Sequence, residues 1–170
     1  MRKIAIVVLG AVLLMVMAIS PAAAHGKPDR IVGTEPAVFE IEGVCDFPVR
    51  GEDSFARFQI LTFVEDADGN VRSDIEQTFR GTLTNEDTGA SIPYVLAGRG
   101  AFRFWADGRT SLAGSGTTLA WYDPASASAS QLGQGIFLIS GRITEQYDAD
   151  GDLVAATARG RIVDVCAALS

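Results

Sequence analysis

The stretch "VRSDIEQTFRGTLT", Val71 to Thr84, alternates in character along its whole length. Val71, Ser73, Ile75, Gln77, Phe79, Gly81 and Leu83 fall on one side, while Arg72, Asp74, Glu76, Thr78, Arg80, Thr82 and Thr84 fall on the other. A period of two is the signature of a β-strand with one face buried and one in water. The same reading extends to Val38–Val44, Phe55–Glu65, Ser91–Gly98, Gly100–Ala106, Thr110–Tyr122, Gly135–Tyr147 and Leu153–Cys166. With Val71–Thr84 these make eight strands, joined mostly by short Gly, Asp and Asn turns.

An all-β fold follows, and sequential hairpins of eight strands predict a small closed antiparallel barrel, with a β-sandwich as the alternative. Glycines inside the longest strands, Gly81, Gly114, Gly116, Gly141 and Gly160, weaken a flat sheet but permit the bends of a small barrel. The segment "DPASASASQLG", Asp123 to Gly133, is the one low-complexity connection and reads as a mobile loop.

The N-terminus predicts export. Arg2 and Lys3 precede an apolar run, Ile4 to Ile19, and small residues at Ala22 to Ala24 form a cleavage site. The run is short of the roughly 20 residues that a membrane-spanning helix needs. Residues 1–24 are therefore read as a signal peptide, 25–36 as a flexible lead-in and 37–170 as a single barrel domain. The expected location is secreted, with no membrane insertion after cleavage.

Without Arg2 and Lys3 the chain holds 12 basic and 21 acidic residues, a net charge of −9. That balance argues against nucleic acid and anionic membranes as partners. Two cysteines, Cys45 and Cys166, allow a single intramolecular disulfide, which an oxidising compartment favours. Closing so long a loop stabilises the fold by roughly 4 to 5 kcal/mol in the chain-entropy picture. If both cysteines sit at one rim, a simple even-stranded meander runs its terminal strands the wrong way, so the strand count or the first crossing must differ.

"EDADGN" at Glu65–Asn70, "WADGR" at Trp105–Arg109 and "YDADGD" at Tyr147–Asp152 repeat one pattern. As calcium loops they fail: with Gly69 at the sixth position, Val64 and Ile75 occupy the first and last ligand positions, and Gly151 likewise brings Gln146 and Thr157. As hairpin turns they need only an Asp to start and a Gly to take positive φ. His25 is the only histidine, so neither a copper brace nor a nucleophile–histidine pair can be assembled. No catalytic residue, metal site or cofactor is expected.

Two constellations remain. Ser73 and Gln77, polar intruders on an apolar face, together with Trp105 and Trp121, are candidates for lining a cavity that takes a small apolar ligand. Asp164 falls on the inward face of the last strand and is a candidate for a buried ion pair with Arg142.

The segments "CDFPV" at Cys45–Val49, "LTNEDTG" at Leu83–Gly89, "GQGIFLISGRI" at Gly133–Ile143 and "GRIVDVCAAL" at Gly160–Leu169 resemble a group of small exported actinobacterial proteins without an assigned activity. The resemblance implies a bacterial secreted origin and paired cysteines, and brings no catalytic residues. In architecture the chain also resembles the small barrels of calycins and allene oxide cyclase. Three functions stay open: a module binding a small apolar ligand, an extracellular or envelope-associated interaction protein, and an enzyme of the cyclase or isomerase type.

Overall fold

The computed structural model describes residues 27–170. The expected signal peptide and His25 lie outside them. Among the described residues eight strands form one antiparallel sheet: β1 (Asp29–Gly33), β2 (Val38–Ile41), β3 (Val49–Thr62), β4 (Val71–Asn85), β5 (Ser91–Phe104), β6 (Thr110–Tyr122), β7 (Gly135–Tyr147) and β8 (Leu153–Asp164). A single helical turn, α1 (Val165–Ala168), follows β8. From β3 to β8 the order is a meander, while β1 and β2 lie end to end along the other side of β3. Among the described residues no helix is long and apolar enough to cross a membrane.

The alternation of Val71–Thr84 survives in space: Ser73 and Leu83 are buried, whereas Arg72, Glu76, Arg80 and Thr82 are exposed. The count of eight, however, is reached differently from the sequence reading. Ser91–Gly98 and Gly100–Ala106 are one strand, β5, because Gly98 and Gly100 both keep partners in β4 and β6. The missing strand is β1, which forms inside the segment expected to be a flexible lead-in. Its residues Arg30 to Val32 pair with Leu61 to Gln59 on β3, so a sheet edge supplies the order that local sequence does not.

The expected closed barrel is not what the ladders form. Among the described residues β8 pairs with no strand except β7, and no ladder joins it to β1 or β2. The outer edge of β8 is served instead by the long connection after β6, where Gln131 N–H donates to Ala156 O at 3.0 Å and Ala158 N–H donates to Gln131 Oε1 at 3.4 Å. This connection, read from its small residues as mobile, is anchored because an open strand edge offers it backbone partners.

The disulfide Cys45–Cys166 forms as expected, with its Cα atoms 5.5 Å apart. The strand-parity difficulty disappears because neither cysteine belongs to a strand: Cys45 lies between β2 and β3, and Cys166 lies in α1. Asn85 Nδ2 donating to Leu169 O at 3.0 Å and Gln134 Nε2 donating to Val44 O at 2.8 Å tie the same region together.

A row of glycines crosses the sheet. Gly98 on β5 faces Gly116 on β6, Gly116 faces Gly141 on β7, and Gly141 faces Gly160 on β8. Side chains do not fit there: a Cβ at Gly141 would lie 1.9 Å from Arg159 O, and one at Gly160, where φ is +125°, would lie 2.3 Å from Ser140 O. Just past the row, at Ala97 and Thr117, the β5–β6 ladder ends. Beyond it the ends of β6 and β7 fold over, and a second core forms between the two parts: Ala120, Tyr122, Phe137 and Ile139 from one side, Ile143, Ala156 and Ala158 from the other. The opposite face of the folded part meets the main core, where Ile136 joins Ile41, Val49, Leu83 and Tyr94, with Val165 and Leu169 from the α1 region. Burial on both faces accounts for the unbroken apolar run "IFLI" at Ile136–Ile139.

Candidate functional site

The three Asp-Gly repeats form three turns of one geometry at one end of the meander. In each, a glycine N–H donates back three residues: Gly69 to Asp66 O at 3.1 Å, Gly108 to Trp105 O at 2.9 Å and Gly151 to Asp148 O at 3.2 Å. Their glycines take φ of +82°, +90° and +86°. Asp66 Oδ1 accepts from the N–H groups of Asp68 and Asn70, and Asp148 Oδ1 accepts from those of Asp150 and Asp152. Hydrogen bonds from Asn70, foremost its backbone N–H, hold the Asp66 carboxyl below the usual carboxylate range. The turns also touch: Asn70 Oδ1 accepts from Ala106 N–H at 3.1 Å. Among the described residues no group of His, Cys, Asp or Glu is arranged to hold a metal ion.

The four residues read as cavity lining do not converge. Ser73 is buried against Thr62, hydroxyl to hydroxyl at 3.0 Å. Gln77 borders an open depression of about 240 Å³ whose other walls are polar, among them Arg30, Arg57 and Glu76, except for Val32 and Phe58. Trp105 sits in a turn with the guanidinium of Arg103 5.1 Å and that of Arg109 5.8 Å from its ring. Trp121 packs against the main core. A second depression, about 350 Å³, is lined by Arg50, Glu52, Asp53, Ser54, Thr82 and Thr84, which are polar throughout.

The expected buried pair of Asp164 and Arg142 does not form. Asp164 is exposed and caps α1, its Oδ1 accepting from Ala167 N–H at 3.0 Å. Arg142 is exposed on β7. The inward face of β8 is buried only at Ala156 and Ala158, short of the glycine row, and is exposed from Gly160 onward. A carboxylate at the end of that strand finds free helix N–H groups before it finds a cation.

The sequence reading missed the polar cluster that is buried. Tyr122 Oη donates to Glu145 Oε1 at 2.9 Å, and Tyr147 Oη donates to Oε2 of the same carboxylate at 2.7 Å. Glu145 is only 8% exposed. Both phenols are pushed above their ordinary pKa, first by burial and then by the neighbouring carboxylate charge. Tyr94 is held similarly, by burial and by its hydrogen bond to Asp53. The signal was present in β7: Phe137, Ile139, Gly141, Ile143, Glu145 and Tyr147 share one face by alternation, and a lone acid on that face marks a partnered buried group.

Chemically this cluster is a closed set. Each Glu145 oxygen accepts a phenol, and among the described residues no buried side-chain polar atom lacks a partner. No family profile, curated protein or solved structure matches the chain.

Proposed function

We propose that the chain is an exported interaction module with a solid interior, acting through its outer surface and not through an internal cavity. The observation that carries this reading is the filled interior: two packed cores, no buried side-chain polar atom awaiting a partner among the described residues, and two depressions that are open to solvent, one walled by polar residues alone and the other by polar residues with Val32 and Phe58. A site for a small apolar ligand, or for a cyclase-type reaction, calls for an enclosed apolar volume with a few convergent polar groups. The scattering of Ser73, Gln77, Trp105 and Trp121 supports neither.

Export is supported by the charged, apolar and small-residue pattern of residues 1–24 and by the disulfide, which belongs to an oxidising compartment. Secretion is also what the resemblance to exported actinobacterial proteins implies.

Native mass spectrometry of the protein recovered from the medium of its own host tests the reading. The expected mass is that of a disulfide-closed polypeptide beginning at His25, with nothing bound. A stoichiometric apolar adduct that persists through purification overturns the solid-interior reading, and recovery of the chain only inside the cell overturns export.

A further inference from the structure

The outer face of β5 to β8 carries arginine and no acid, in a chain whose net charge is −7. The outward positions of these strands hold Arg99 and Arg103 on β5, Arg142 on β7, and Arg159 and Arg161 on β8; Leu119, Trp121, Ile136 and Leu138 on the same alternation turn into the main core, and the rest are Ser, Thr, Ala, Val, Pro or Gln. Register aligns them. Arg159 lies directly opposite Arg142, Arg142 opposite Ser115, and Ser115 opposite Arg99, so three arginines stand on one line across four strands. Arg161 stands on the next line, opposite Ser140.

All four of Arg99, Arg142, Arg159 and Arg161 are exposed; Glu76 on β4 ends the line opposite Arg99, and among the described residues none of the four has a carboxylate within ion-pair distance. The ion pairs among the described residues are Arg50–Glu52, Arg72–Asp74 and Arg109–Asp107, all elsewhere. Like charges placed directly opposite in a sheet weaken it. With 21 acidic residues in the chain, an uncompensated Arg142–Arg159 pair has no structural return.

The line runs beside the glycine row: Arg99 follows Gly98, Arg142 follows Gly141, and Arg159 and Arg161 flank Gly160. The second core fills the inner side of the fold at that row, so the arginines stand on its outer, convex side. Adjacent strands are roughly 4.8 Å apart, which spaces Arg159 from Arg142 by about 5 Å and Arg142 from Arg99 by about 10 Å at their backbones. A single small anion cannot span such a line, and neither of the two depressions described above includes these residues.

We propose that this line is a docking surface for a linear anionic polysaccharide lying across the strands, a partner class that deepens the interaction-module reading and rests on it. Guanidinium forks suit the planar carboxylate or sulfate groups of such a chain, which they bind in bidentate fashion. Between the arginines stand hydroxyls: Ser115, and the pairs Thr117–Ser140 at 3.2 Å and Thr144–Thr157 at 2.7 Å, suited to sugar hydroxyls. The aromatic rings on this alternation are already engaged, Trp105 beneath the guanidinium groups of Arg103 and Arg109 and Trp121 against the main core, so the arginine line offers a nucleic-acid base no open ring on which to stack.

The test measures binding of the exported, disulfide-closed protein to polygalacturonate, heparin, neutral dextran, a single-stranded oligonucleotide and phosphatidylserine vesicles. The two anionic glycans are expected to bind, with affinity falling as salt is raised, and dextran is expected not to bind. The R142S/R159S variant, which removes a repulsive pair and so keeps its fold, is expected to weaken glycan binding by about tenfold or more. The R50S/R80S variant, equal in charge change but on β3 and β4, is expected to leave binding unaltered. Equal loss in both variants, no binding to either glycan, or oligonucleotide or vesicle binding as tight through the same arginines overturns the proposal. Absence of glycan binding with a clean native mass leaves the solid-interior reading standing, whereas a carried apolar adduct overturns that reading alone.

Discussion

Tyr122 and Glu145 are hydrogen-bonded at 2.9 Å although the ladder sets them far apart. Tyr122 pairs with Gly135, and Glu145 lies ten residues further along the same strand β7. Ten extended residues span about 33 Å, more than the two side chains can bridge. The contact exists only because the sheet folds over at Gly116, Gly141 and Gly160, bringing the end of β6 onto the far half of β7.

Removing either phenol should therefore loosen that fold. Tyr122→Phe leaves one oxygen of a buried carboxylate without its donor, and a hydrogen bond to such a group is worth roughly 1.5 to 3 kcal/mol. Urea unfolding of Y122F, E145Q and the double variant should show a loss of about that size for Y122F. The double variant should lose less than the sum of the singles, as partners in one contact do. Strict additivity would mean the contact contributes nothing.

The three tyrosines of the chain, Tyr94, Tyr122 and Tyr147, all have pKa values raised by burial and by a carboxylate partner. For a group whose folded pKa exceeds its unfolded value, the stabilisation is complete below the unfolded pKa and is lost as pH rises through the folded one. Stability should hold steady as pH rises toward the ordinary tyrosine value of about 10 and fall above it. Phenolate absorbance should appear together with loss of the β-sheet circular dichroism. Titration of phenolate near pH 10 with the sheet intact would contradict the burial.

Gly141→Ala should be among the most damaging single substitutions, since its Cβ would meet Arg159 O at 1.9 Å, where no flexible side chain can yield. A cost of about 3 kcal/mol or more is expected, read from the thermal midpoint. Gly89→Ala, at φ of +77° but with nothing within 4 Å, should cost only about 1 kcal/mol. Equal losses at the two sites would remove the glycine row from the account of the fold.

Reduction of Cys45–Cys166, or its replacement by serines, should lower stability by about 5 kcal/mol for a closed loop of this length. The bridge spans 121 residues and joins the β2–β3 connection to α1 at the main core. Denaturant midpoints with and without reductant measure it, and a negligible difference would show the core holding that end unaided.

Added calcium should leave the melting temperature unchanged. The carboxylates of Asp66 and Asp148 are already used by N–H groups inside their own turns. A clear, saturable rise with calcium would restore the metal reading of the "DADG" repeats.

The sequence alone determined what depends on near neighbours. Alternation from Val71 to Thr84 marked a strand because side chains change face at every residue, and Asp-Gly placed the turns because glycine reaches positive φ without strain. Two cysteines left one pairing. Alternation could not say how the sheet curls, since it distinguishes two faces without telling what covers each. The fold at the glycine row, the burial of β7 on both sides and the Tyr122–Glu145–Tyr147 cluster depend on contacts between residues distant along the strands. So does the arginine line: Arg99, Arg142 and Arg159 are spread over 61 positions of sequence and become neighbours only when three ladders fix their register. β1 went unread for the same reason. Its five residues form a strand because β3 offers them an edge, and that edge exists only in the folded chain.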